Sequence, residues 1–198
     1  MGKKLLIMTV AVAALGPATC FSAGEPKTKA KEPASQGALP VDAQTAFYAM
    51  YKPARTWASD VLPLTLTSGD TQNVKNEGGK SGKWTAVFVS ASRREARVFT
   101  YTVGQAVAAA EEASWSGPTP DSRPFQPNDF TVNSDTAYQS AFKQAEPWLK
   151  SHPGKKPVLT LFNASRYPTP VWYIIWGTKT SGYGVLVSAM TGTVLKGK

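Results

Sequence analysis

Two side chains that commonly do chemistry occur once each in this chain, as Cys20 and His152. A lone thiol excludes an internal disulfide and a multi-thiolate zinc site. A lone imidazole disfavours a histidine-based metal site and a Ser-His-Asp triad. The segment Ser151-His152-Pro153-Gly154 is typical of a turn after a helix. His152 is therefore predicted to be an exposed turn residue rather than a catalytic base.

The carboxylates are also poorly arranged for catalysis. Glu111, Glu112, Asp121 and Asp129 fall in one predicted linker, and Asp135 lies at the start of a predicted helix. These positions favour solvated loops and helix-end charges over the acid–base pair of a glycosidase. The chain has no G-x-S-x-G nucleophile motif and no glycine-rich phosphate loop after a strand. We therefore predict no catalytic residue, no metal site and no cofactor.

The residues at 1–22 are typical of a cleavable signal peptide. Two lysines precede an apolar run at 5–15, which is shorter than the roughly 20 residues of a membrane-spanning helix. Cleavage after Cys20 or Ser22 fits the small residues there and leaves a mature chain without a membrane span. An uncleaved anchor is one alternative. Acylation of Cys20 as a lipoprotein is another, although Pro17 occupies a position where an aliphatic residue is usual. A periplasmic or secreted location is expected.

A linker predicted to be disordered follows at 23–38. It is rich in Lys, Glu, Pro, Ala and Ser, so it cannot bury enough apolar surface to offset the entropy of ordering. The whole chain has a formal net charge of +9, much of it scattered through this linker and through loops. No basic helix or RNA-binding signature is present, so no nucleic-acid partner is predicted. We expect the positive charge to give instead a loose attraction to anionic envelope surfaces.

The mature chain aligns with itself in three consecutive blocks. At an offset of 91 residues, Trp57 falls on Trp148 within two similar helical patterns. At an offset of 95, the Leu-Thr-Leu at 64–66 falls on that at 159–161, and at an offset of 88, Trp84 falls on Trp172. We interpret this pattern as a duplication, with one module at 39–107, a linker at 108–129 and a second module at 130–198.

Each module is predicted to contain a helix, a strand and then a β-hairpin, which gives an α+β fold with each helix packed on a small antiparallel sheet. Pro53 and Pro147 are expected to kink or interrupt the two helices. The polar loop at 68–83 is expected to be exposed and mobile. The Ala/Glu run that begins the linker is a candidate short helix, followed by irregular chain.

The C-terminal part of the chain resembles a PepSY domain. The resemblance rests on the aromatic strand Val-Trp-Tyr-Ile-Ile-Trp at 171–176, the strand at 184–187, and the ending Thr-Gly-Thr-Val at 191–194. It covers the second module, and it reaches the first only through the repeat. PepSY-like modules imply an envelope protein that restrains peptidases or binds partners, and they bring no catalytic residues. The tandem architecture also resembles, more distantly, that of the secreted β-lactamase inhibitory proteins.

Strand alternation places large aromatic side chains on one face of each predicted hairpin. If the β-branched face packs on the helices, the aromatic face is open and its side chains are candidate anchors for a protein partner. In the alternative, the same side chains form the core or are buried between the modules. The candidate partner-binding residues are Trp84, Phe88, Trp172 and Trp176.

The sequence therefore predicts an exported, non-enzymatic binding or inhibitory protein of the cell envelope. Its expected partner is an unidentified protein, for example a secreted peptidase that it modulates, and a monomer is expected. The alternatives are a structural component of an envelope assembly and, less favoured by this inventory of side chains, an enzyme of unrecognised chemistry.

Overall fold

The computed structural model describes residues 38–195. The predicted signal peptide at 1–22 and all but the last residue of the predicted linker at 23–38 lie outside the described residues. Within 38–195, no helix combines the length and the apolar character needed to cross a membrane.

The described chain is α+β, as the sequence predicts, with two helices on one antiparallel sheet. A short 3₁₀ helix, Pro127–Asp129, precedes the second α-helix. The helices are α1 Ala43–Trp57 and α2 Ser134–Ser151. The strands are β1 Leu62–Gly69, β2 Lys83–Ser90, β3 Glu95–Thr102, β4 Ala108–Ser114, β5 Pro157–Phe162, β6 Val171–Trp176, β7 Tyr183–Ser188 and β8 Val194–Leu195.

All eight strands form a single sheet in the order β4-β3-β2-β1-β5-β6-β7-β8. The first half of the molecule (α1 and β1–β4) joins the second half (α2 and β5–β8) where β1 pairs with β5. Leu66 pairs with Leu161 at the centre of this junction. β1 and β5 are the first strands of the two predicted modules, and each has one edge that its own module leaves unpaired. The two strands pair through these edges, so the modules share one sheet.

The two halves repeat one distinctive hydrogen bond. The indole of Trp84 donates to the carbonyl of Val41 (3.0 Å), and the indole of Trp172 donates to that of Val132 (2.9 Å). The two indole rings also meet edge to face, with their centroids 6.4 Å apart. Each tryptophan thus ties a central strand to the lead-in of its own helix, and the pair joins the halves inside one core.

Strand pairing refines the internal alignment. Thr67 lies opposite Thr85, and Thr160 lies opposite Tyr173. Thr67 of β1 therefore corresponds to Thr160 of β5, and these two residues are 93 positions apart. The predicted offset of 95 is therefore shifted by two residues. The ungapped third block is also misaligned beyond the hairpin turn, because the β6–β7 turn at 177–182 is longer than the β2–β3 turn at 91–94.

The helices begin at polar caps near the junction of the halves. Asp42 accepts from the backbone N–H of Thr45 (2.8 Å), while Asn133 accepts from those of Gln44 (3.1 Å) and Ser134 (2.8 Å). The second half therefore helps to satisfy the free N–H groups of α1. The predicted interruption of the helices by proline is wrong, since α1 and α2 each continue past theirs.

Two segments differ from their sequence predictions. The start of the linker at 108–129 is strand β4 rather than a helix, because its backbone completes the ladder of β3 and Glu112 pairs with Arg97 (3.1 Å). The loop at 68–83 is exposed only in part. Its Asn76 donates to the carbonyl of Gly69 (3.1 Å), and Ser81 is buried and bonded to the same carbonyl (2.7 Å).

Candidate functional site

The four predicted anchors Trp84, Phe88, Trp172 and Trp176 are buried, each with at most 1 % of its surface exposed. The prediction that they line an open sheet face is therefore wrong, and the alternative placement in the core is correct. They lie on the helix side of the sheet, where the Phe47 ring of α1 lies 5.8 Å from that of Phe88. Burial there removes the largest rings from water, which is the main stabilising contribution they can make.

The opposite side of the sheet is left without a covering helix among the described residues. We call this side the uncovered face. Its side chains alternate along the strands with those of the core, so Thr85 lies between the buried Trp84 and Ala86, and Tyr173 lies between Trp172 and Ile174. One cross-strand row runs through its centre and is half-buried throughout: Thr100, Thr85, Thr67, Thr160, Tyr173 and Leu186.

The two halves of this row have different chemistry. In the first half, Thr85 has Thr100 opposite it, whereas in the second half Tyr173 has Leu186 opposite it. Phe162 of β5 adds a further ring beside this row. The pairing of β1 with β2 and of β5 with β6 makes Gly69 the corresponding residue of the first half. The fold accepts small side chains at all three positions, so the large apolar ones of the second half are not required for the sheet to form.

These rings line a cleft on the uncovered face with a volume of about 360 Å³. Gly184 leaves the space that the Tyr173 ring occupies, because a Cβ on residue 184 would lie 2.6 Å from the ring. The Phe162 and Tyr167 rings meet edge to face at 6.2 Å. We call this site the aromatic cleft; it is lined by Thr160, Phe162, Arg166, Tyr167, Tyr173, Lys179 and Leu186.

The predicted linker positions one wall of the aromatic cleft. Pro120 accepts from the backbone N–H of Ser165 (2.7 Å), and the N–H of Arg123 donates to Asn163 (3.0 Å). Both bonds fix the β5–β6 connection at 163–170, from which two of the lining side chains extend. Tyr167 is held further by the bond from its N–H to the carbonyl of Ala164 (3.0 Å). This wall is thus pre-organised by backbone hydrogen bonds.

The ionisable side chains that line the cleft are cations and phenols. The Arg166 guanidinium lies 5.1 Å from the centroid of the Tyr167 ring and donates to Asp121 at 2.7 Å. Both neighbours raise the pKa of Arg166, with Tyr167 the larger cause. Lys179 adds a second positive charge from the β6–β7 turn. Carboxylate and imidazole groups, the usual proton carriers of an active site, do not line it.

Alternation in the sequence could have found part of this cleft. It places Tyr173 and Trp172 on different faces of the sheet. Once Trp172 is assigned to the core, Tyr173 must face away from the helices. Phe162 follows from the same argument on β5. Arg166 and Tyr167 carry no comparable signal, because their positions depend on a loop bonded to a distant linker.

Polar and ionisable side chains also occur together in other parts of the described chain. A larger cavity of about 480 Å³ beside the loop at 68–83 is lined mainly by polar side chains, among them Asp70, Lys75, Asn76 and Lys156. His152 is exposed, as predicted, and stacks on Trp148 with the ring centroids 4.0 Å apart. No cluster of three metal-binding side chains occurs in residues 38–195.

Comparison with known proteins adds little to this description. No family model matches the chain, and no curated protein matches it, so the resemblance to PepSY domains stays a prediction. A solved candidate lipoprotein from Clostridium difficile 630 is similar over 76 % of this chain and 90 % of its own, at 12 % identity and with a TM-score of 0.48.

Proposed function

We propose that this chain is an exported, non-catalytic binding protein of the cell envelope that holds a protein partner on its uncovered face. The observation that carries the proposal is the division of the sheet. One side is filled by the helices and by the largest rings of the core, while the other has no covering helix in the described chain and includes a cleft lined with rings. Such a face is a common place for a partner to bind.

The signal-peptide pattern at 1–22 supports export, and the tether-like composition at 23–38 fits a protein that works at the envelope. Within this proposal, acylation of Cys20 would hold the protein at a membrane surface, and cleavage beyond it would release the protein. The likeness of the two halves, with matching indole hydrogen bonds, supports their origin by duplication.

The composition of the aromatic cleft supports binding over catalysis. Its rings provide contact area, and its cations provide charge recognition. An enzyme needs groups that exchange protons or electrons at the reacting atoms, and neither a carboxylate nor an imidazole lines the cleft. Restraint of a secreted peptidase is the specific form of binding that the PepSY resemblance suggests.

Site-specific photo-crosslinking tests this function. A benzoyl-phenylalanine at Val158, which is 42 % exposed on the uncovered face, would report a partner bound there. The matched control places the same group at Tyr48, which is 52 % exposed on α1. In an extract of the cell envelope, we expect a discrete protein adduct from Val158 and none from Tyr48.

Equal adducts from the two positions, or none from Val158, would contradict the proposal. Identification of the adduct then decides its finer form. A peptidase whose activity falls when the mature protein is added supports restraint, and an assembly protein supports the structural alternative instead. Substrate turnover by the purified protein would favour an enzyme.

A further inference from the structure

We propose that the aromatic cleft binds an acidic peptide segment of the partner, and that one large apolar side chain of that segment inserts between Phe162, Tyr173 and Leu186. This inference rests on the proposed function and specifies the chemistry of the partner. It arises from three independent features: the size of the cleft, its charge, and the smaller side chains at the corresponding positions of the first half.

The size of the cleft suits one or two side chains. Its volume of about 360 Å³ is at the low end of the roughly 300–1,000 Å³ of small-molecule pockets. The cleft is also open to solvent along the sheet, so it could not enclose a drug-sized ligand. A peptide side chain needs less enclosure, because the flanking backbone can lie along the uncovered face and exclude water around the anchor.

The apolar and polar atoms of the cleft are separated in a way that fits such a segment. Phe162, Tyr173 and Leu186 come from three adjacent strands and form the floor. Arg166 and Lys179 come from the connections before and after β6 and supply the charged rim. An apolar side chain would therefore meet the floor, while acidic neighbours in the same segment would meet the rim.

The charge of the rim favours an acidic partner even though Asp121 already pairs with Arg166. That pair uses one guanidinium nitrogen, and both of its side chains are more than half exposed. A guanidinium carries five N–H donors, so a peptide carboxylate can join Asp121 or replace it. Exposed charge pairs of this kind add little stability, so the exchange costs little. Lys179 adds attraction at longer range.

The first half supports this assignment because it keeps the sheet and has smaller side chains at the positions that form the floor of the cleft. Thr85 and Thr100 occupy the positions that correspond to Tyr173 and Leu186. Tyr173→Thr and Leu186→Thr therefore introduce side chains that the same sheet already accommodates in its other half. Both variants are expected to fold, which makes them suitable probes of binding.

The experiment uses three labelled peptides and the mature protein, with affinities measured by fluorescence anisotropy. The probe is Gly-Glu-Leu-Trp-Glu-Gly. The charge control Gly-Lys-Leu-Trp-Lys-Gly reverses the acidic residues, and the anchor control Gly-Glu-Ser-Ser-Glu-Gly removes the apolar ones. We expect the probe to bind at least tenfold more tightly than either control, with an affinity that decreases as salt is added.

The variants locate the binding. Tyr173→Thr should weaken binding of the probe at least tenfold, as for an anchor contact, and Lys179→Glu should weaken it about threefold to tenfold. The matched controls Tyr48→Thr and Lys143→Glu change the same residue types on the outer surfaces of α1 and α2, and they should bind like the wild type. Thermal unfolding of each variant reports whether it is folded.

Three results would overturn the inference: no saturable binding of the probe, equal affinity for the charge control, or unchanged affinity in the folded Tyr173→Thr variant. The proposed function fails separately. If the crosslinker at Val158 captures a partner and Tyr173→Thr leaves that capture unchanged, the uncovered face binds a partner by other contacts, and only the acidic-peptide inference is wrong.

Discussion

The two halves of this molecule share one core but present different surfaces. On the helix side, Trp84 and Trp172 make the same indole hydrogen bond and meet each other edge to face. On the uncovered face, the first half carries Thr85 where the second carries Tyr173. The core is thus constrained by packing in both halves, and the outer face of the second half carries rings that the sheet does not require.

The largest effect is expected from truncating the shared core. Trp84→Ala and Trp172→Ala should each lower the free energy of unfolding by about 3–5 kcal/mol, because each removes a fully buried ring and leaves a cavity. Since the two rings touch, unfolding in denaturant should stay a single transition in both variants. Two separate transitions, with one half surviving the loss of the other, would contradict a shared core.

A smaller effect is expected at the helix caps. Asp42→Ala should cost about 1 kcal/mol, because the Asp42 side chain caps α1, where it accepts from the N–H of Thr45. Asn133→Ala should cost more, up to about 2 kcal/mol, since its side chain accepts from the start of both helices. Equilibrium unfolding measures both, with Asp42→Asn as the control that keeps a capping group. Equal costs would mean that the bond between the halves adds nothing.

The smallest effect is expected at the two hairpin turns, and it depends on pH. Asp60 accepts from the Ser90 hydroxyl (2.7 Å) and from the Ser92 N–H (2.8 Å), and these bonds lower its pKa to about 2. Because the folded pKa lies below the ordinary 3.8, the stabilisation is complete above about pH 4 and disappears as the pH falls towards 2. The corresponding turn of the second half is tied by the Thr178 and Ser181 hydroxyls, which do not titrate in this range.

Melting temperatures of the wild type and of Asp60→Asn should therefore differ at pH 6 and converge near pH 2. The difference between the wild type and Thr178→Val should stay constant over the same range. A constant difference for Asp60→Asn would show that the Asp60 carboxylate does not stabilise the β2–β3 turn.

Much of the fold follows from local sequence patterns, and its assembly does not. Helical spacing locates α1 and α2, and alternation locates the strands of both hairpins. The pairing of β1 with β5 depends on two strands that are far apart in sequence. The Ala/Glu run of the linker predicts a helix because its helix propensity is high. The ladder of β3 overrides that propensity, as tertiary contacts often do.

The sequence prediction places the candidate site on the wrong side of the sheet for a physical reason. Alternation shows which residues share a face but not which face the helices cover. Two sets of side chains could fill the core, and the larger rings, led by Trp172, did so because they remove more apolar area from water. With that choice known, Tyr173 and Phe162 follow, whereas Arg166 needs the contact between linker and loop.

Methyl NMR of the acidic probe peptide bound to the mature protein shows directly whether the two halves of the uncovered face differ in binding. Isotope-labelled methyl groups report both halves of the uncovered face at once, with Val87 and Val98 in the first and Val158 and Leu186 in the second. We expect chemical-shift changes in the second half that saturate with added peptide, and unchanged signals in the first. Equal changes in both halves, or changes confined to methyl groups of the helices, would contradict this expectation.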